Sequence, residues 1–146
     1  MPGTSSYPAA YVQAARDEIA AQIRAYRDLV GAASKASGMS LTRIDAALAA
    51  FEPAFFNNLL IALEMRFVHR LRDVEGQGGN ALDEVRMLVA SLMDNAGVLA
   101  PDPTIRHDAG KTVLGIDIGD RIALNADDFE ALCTAFLAGI ERQFSA

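Results

Sequence analysis

The chain has 146 residues, 51% of them hydrophobic and 22% charged, with a single cysteine. That length suits one domain spanning residues 1–146, able to bury roughly 70% of its unfolded surface, and the composition excludes a disordered, collagenous or disulfide-framework protein. A formal charge of −6 from 13 basic and 19 acidic residues removes the electrostatic footprint of a general nucleic-acid binder.

Residues 1–8 are rich in Pro, Gly and Ser and are expected to form a flexible lead. They carry no basic segment followed by an apolar stretch, and no uninterrupted apolar window of about 18 residues occurs further on. A cytoplasmic protein without membrane association is expected. Next, Val12, Ala15, Ile19, Ile23, Tyr26, Val30 and Ala33 keep the three-and-four spacing of one helical face, and Ser37-Gly38 predicts its end. Ser40 suits the N-cap of a short helix carrying Leu41, Ile44, Leu48 and Phe51. Pro53 lacks a backbone donor and predicts a break near Glu52. From Pro53, residues Phe55, Phe56, Leu59, Leu60, Leu63, Phe67 and Leu71 predict a long helix to about Arg72, expected to be the central one.

The glycine-rich loop 73–80 ends on Asn80, well placed to cap a helix over residues 81–95 with Leu82, Val85, Val89, Leu92, Met93 and Ala96 inward. Pro101 and Pro103 predict an irregular loop over 100–110. Residues 112–118 and 121–124 flank Gly119-Asp120 and predict a small β-hairpin leaning on the helices. Asn125, followed by Asp128, signals the last helix, with Phe129, Leu132, Cys133, Phe136, Leu137, Ile140 and Phe144 as its buried stripe. The expected fold is therefore mainly α, a four- to five-helix bundle with a small β-hairpin before the last helix.

Catalytic signals are weak. Two histidines, one cysteine and no HExxH, CxxC or Glu-x-x-His pairing argue against a zinc or di-iron centre, so no metal and no cofactor are expected. Cys133 and Ser91 lie in apolar helical patterns without an adjacent base, and Cys133 reads as a small hydrophobe. The Gly76-Gln77-Gly78-Gly79 segment lacks a Walker lysine and a preceding strand and reads as a flexible interhelix loop.

The residues that stand out share the second face of the helix beginning at Pro53. Projected at about 100° per residue, Asn57, Asn58, Ile61, Glu64, Met65, Val68, His69 and Arg72 oppose the core face. That mixture fits a buried polar network, a subunit interface or a pocket wall. Two adjacent asparagines inside a helix suggest that their amides have partners, and Glu64 is expected to pair with Arg86 or another arginine. Arg66, Arg70, Arg72 and Arg86 lie among acids and read as solvated ion pairs of modest energy.

Residues 55–58, 67–76 and 79–86, with Phe55-Phe56-Asn57-Asn58, His69-Arg70-Leu71-Arg72-Asp73 and Gly79-Asn80-Ala81-Leu82 among them, resemble a conserved bacterial protein family of unknown function. The likeness covers about residues 53–144 and implies no substrate or cofactor. Taken together, the expectation is a small-molecule or protein-binding and oligomerisation module, its partner being a second copy, with Asn57, Asn58, Glu64, His69, Arg70, Glu75, Asn80 and Arg86 as ligand-binding or interface candidates. The alternative is a small enzyme using His69 as acid or base, with Glu75, Arg70 or Arg86 positioning a substrate at one end of the bundle.

Overall fold

The computed structural model describes residues 3–36, 41–76 and 79–145, and is mainly helical. Its helices are α1 (Ala9–Ala36), α2 (Leu41–Arg66), the single turn α3 (Arg72–Glu75), α4 (Ala81–Asp94) and α5 (Ala126–Gln143). The expected helix stop at Ser37-Gly38 and the cap at Ser40 fall outside the described residues. Helices α2 and α5 each pack against the other three long helices, while α1 meets α2 and α5.

The apolar stripes account for this packing. On α1, Val12, Ala15, Ile19, Ile23 and Tyr26 are buried at helical spacing; on α5 the whole stripe from Phe129 to Phe144 is buried, Cys133 included. Both α4 and α5 begin as the sequence predicts. The Asn80 side chain accepts from Asp83 N, and Asn125 with Asp128 forms a reciprocal capping box that satisfies two orphan donors. Where α4 crosses α5, Gly139 leaves room for Leu82: a Cβ there would lie 3.3 Å from the leucine side chain.

Five expectations are corrected. The helix does not break at Pro53 but runs through it from Leu41 to Arg66. Tyr26 stacks on both Phe51 and Phe55, and its hydroxyl donates to Glu52 Oε1 at 2.6 Å, so contacts from α1 bridge both sides of the proline. The carbonyl that Pro53 leaves without its helical donor belongs to exposed Ala49, where water can satisfy it. At its other end the same helix stops at Arg66 rather than Arg72, because the chain beyond turns to pair with residues 3–8: Thr4 N donates to His69 O, and Leu71 N to Thr4 O. Residues 3–8 of the lead expected to be flexible are thus docked, with Tyr7 buried against Phe67 and Phe144.

The β-hairpin is also absent among the described residues; residues 112–124 hold no strand. Their backbone donors go elsewhere. Val113 N and Leu114 N donate to the two oxygens of Glu84 at 2.8 and 3.0 Å, and Ile122 N donates to Gly97 O. Finally, α2 is not the central element. Eight of the fourteen residues of α4 are buried, whereas on α2 burial begins only at Phe56. No described residue from 27 to 35 or from 42 to 55 is buried.

Candidate functional site

The turn after α2 carries the densest polar cluster of the fold. Arg70 is buried, and all five of its N–H donors are engaged. Nη1 and Nη2 form a fork on Glu64 at 2.8 and 2.7 Å, Nε reaches Glu75 at 3.0 Å, and the remaining two donors go to Phe67 O and Leu82 O. The guanidinium carbon also stands 5.1 Å from the centre of the Phe136 ring. Helix α5 thus closes the cluster from below.

Glu75 is fully buried and lies at the centre. Besides Arg70 it accepts from Arg72 at 2.7 Å and from Arg86 at 2.8 Å. Asp83, likewise fully buried, accepts from Arg72 at 2.9 Å and from Gly79 N at 2.9 Å. Three arginines meet three carboxylates, so the cluster is neutral, and no buried side-chain nitrogen or oxygen among the described residues lacks a partner. Burial alone would lift the Glu75 carboxyl, but the hydrogen bonds from Arg86 and Arg72 and the charges of Arg70 and Arg86 outweigh it and hold the group below its ordinary value. Burial likewise opposes the charge on Arg70, and Glu64 and Glu75 overcome it and raise the guanidinium further.

These contacts correct the reading of solvated ion pairs for Arg70, Glu64, Glu75 and Asp83, whose side chains are buried, while Arg72 and Arg86 stay partly exposed and Arg66 keeps a surface pair with Glu18. They also fix the partner of Glu64 as Arg70. Chemically the cluster is a staple between the end of α2, α3 and the start of α4, and its buried side-chain nitrogens and oxygens are all paired. Asn80 belongs to it, its Nδ2 donating to Glu75 O while its oxygen caps α4. Gly79 closes the loop in the left-handed region at φ 80°, and a Cβ there would lie 2.5 Å from Arg106 O.

The remaining candidates scatter. Asn57 is clamped to residues 121–124, the second arm of the expected hairpin, donating to Ile122 O at 3.0 Å and accepting from Leu124 N at 3.2 Å. Asn58 is exposed and makes no side-chain hydrogen bond among the described residues. The His69 ring is exposed; its backbone carbonyl holds Thr4. The mixed face of α2 therefore divides, Asn57 and Glu64 turning inward while Asn58 and Met65 face out. No group of three or more His, Cys, Asp or Glu among the described residues is placed to hold a metal ion.

Two surface features lie apart from the cluster; the first was not anticipated from the sequence, and the second extends toward Phe51 the face on which the sequence places Asn58, Ile61 and Met65. One is a groove of about 610 Å³ between α1 and α5, floored by Ile19, Ile23 and Leu137 and rimmed by the ion pair of Arg16 with Glu141. The other is the outer face of α2. Residues Thr42–Arg66 are long and apolar enough to cross a membrane by length and composition, with a mean hydropathy of 1.5 in an 18-residue window, yet only 17% of that window is buried. Pro53 hid this face by splitting the helix into two apparent elements.

No protein-family model, curated protein or solved structure matches this chain. The site stands on its geometry alone.

Proposed function

We propose that the protein is a cytoplasmic, helical self-association module whose working surface is the outer face of α2. The observation that carries this reading is the mismatch between the apolar character of α2 and its small burial. Phe51 and Met65 are 50% and 62% exposed on it, and large apolar groups left on one face of a helix are what a partner surface covers. Against the catalytic alternative, Glu75 and Arg86 bond to each other inside the staple, and the exposed His69 ring makes no side-chain hydrogen bond to either among the described residues.

Native mass spectrometry over a range of protein concentrations tests the reading. Wild-type chain should give a dimer whose population rises with concentration, and Ala54→Glu, a change at an exposed helical position, should remove it. A monomer at every concentration, or a dimer indifferent to Ala54→Glu, overturns the proposal.

The α1/α5 groove favours a second reading, a small apolar ligand with a polar end, because its volume falls in the range of small-molecule sites. The same spectra report it. A retained mass that Ala138→Trp displaces from the groove supports this reading, and the absence of any retained or added apolar ligand rejects it.

A further inference from the structure

The outer face of α2 has a regularity that identifies its occupant. Ala47, Phe51, Ala54, Asn58, Ile61 and Met65 follow one another at alternating spacings of four and three, the seam of a coiled coil. Ile61 is half-buried and the other five are exposed. Every exposed position of α2 from residue 46 to residue 65 is Ala, Phe, Asn or Met, so the seam is uncharged in a chain of net charge −6. A charged partner finds nothing there to pair with, and two copies meet there without like-charge contact.

Asn58 sits near the middle of the seam. Asparagine is a poor helix-interior residue, and its amide is both donor and acceptor, so two copies related by a twofold axis satisfy each other. The residues on either side are arranged to suit such an axis. Phe51 and Met65 of the seam lie seven positions before and after Asn58, and Ala54 of the seam and the exposed Ala62 beside it lie four before and after. An antiparallel pairing therefore sets the Phe51 ring against the Met65 thioether, a favourable contact, and alanine against alanine, which lets the helices approach closely.

We infer that α2 pairs with α2 of a second copy, antiparallel, with Asn58 on the twofold axis; this rests on the self-association proposed above. The parallel alternative places each charged end of the helix beside its own duplicate, Arg43 by Arg43 and Asp45 by Asp45. The antiparallel one instead lays the outer half of α2, where no residue is buried, along the partner's half that rests on a core. It also opposes the two helix dipoles. The seam spans about 27 Å of helix and is about 10 Å wide, roughly 300 Å² per copy. That is well short of the ~800 Å² per partner of a standard stable interface, so the dimer is weak and reversible.

Disulfide trapping under mild oxidation tests the geometry, with buried Cys133 left in place. Asn58→Cys should link to itself. Ala54→Cys mixed with Ala62→Cys should give the mixed dimer in several-fold excess over either variant alone. Self-linking of Ala54→Cys and of Ala62→Cys, with no excess in the mixture, overturns the antiparallel pairing, as does a dimer sensitive to Ala54→Glu that none of these cysteines traps. If no dimer forms in buffer and the chain floats with phosphatidylcholine vesicles, the self-association reading falls with it and a lipid surface replaces the second copy. Asn58→Leu supplies a readout that a merely exposed residue would not give. It should tighten the dimer several-fold while letting Ala54→Cys link to itself, because an asparagine in a seam fixes pairing at a cost in affinity; an unchanged dimer and unchanged linking pattern would count against the inference.

Discussion

Arg70 and Glu64 face each other six residues apart across the end of α2, joined by two parallel hydrogen bonds of 2.7 and 2.8 Å with the arginine fully buried. Taking one partner away leaves the other charged and out of water, which costs more than the pair contributes. Arg70→Ala should therefore lower the unfolding free energy by about 3–5 kcal/mol. Arg70→Lys should recover only part of this, since an ammonium cannot reach Glu64, Glu75, Phe67 O and Leu82 O together. Urea denaturation of the two variants measures both; a loss under ~1 kcal/mol for Arg70→Ala would show that water reaches the cluster.

Glu75 gives that cluster a pH dependence. Its carboxyl is held below the ordinary value in the folded chain, so its contribution is fully present above the unfolded pKa of about 4.3 and is lost as pH falls through the lower folded-state value. Glu75→Gln should be less stable than wild type near neutrality by about 3 kcal/mol, and the gap should close in acid. Glu84, raised by burial against the donors Val113 N and Leu114 N, titrates with the opposite sign. It is common to both proteins and drops out of the difference. Urea midpoints of the pair at a series of pH values decide the matter, and a gap that stays constant into acid contradicts the assignment.

Why some of this was legible in the sequence and some not follows from how far each signal reaches. The caps at Asn80 and Asn125 and the stripe of α5 are set by neighbours three or four positions away, and each appears where the pattern puts it. The hairpin failed because its amides are taken by Glu84, 29 and 30 positions distant in sequence, a competitor no local pattern shows. At Pro53 a strong local rule lost to Tyr26, which supports the helix from a different element. The arginines and acids around Glu75 were legible as a cluster, but their burial comes from Leu82 and Phe136, outside the run that contains most of them. The seam on α2 is written plainly in the spacing of its residues, and only the false break at Pro53 concealed it.

Asn57 and Asn58 stand side by side and should behave oppositely. Asn57 closes two hydrogen bonds to the backbone at Ile122 and Leu124, and Asn57→Ala leaves both groups short of a partner, a loss of about 2 kcal/mol. Asn58→Ala removes nothing that the single chain uses, and replaces a weak helix former with the best one, so the monomer should hold its stability or gain about 0.5 kcal/mol. Thermal unfolding at concentrations low enough to keep the chain monomeric separates the two. Equal losses would mean that Asn58 has a partner within its own chain.

Pro53 tests whether α2 is held together by its contacts with α1 or by its own backbone. The proline removes one hydrogen bond from the middle of a 26-residue helix, and a proline in a helix interior costs about 3 kcal/mol relative to alanine. Part of that is returned because proline also restricts the unfolded chain. Pro53→Ala restores the donor to Ala49 O and should raise stability by about 1–2 kcal/mol, with the Tyr26 contacts unchanged. Amide exchange should slow along residues 49–56 in step with that gain. If instead stability falls, the proline ring's own packing, half-buried beside Glu52, outweighs the hydrogen bond it displaces. The outer half of α2 would then owe its order to that contact rather than to helical continuity.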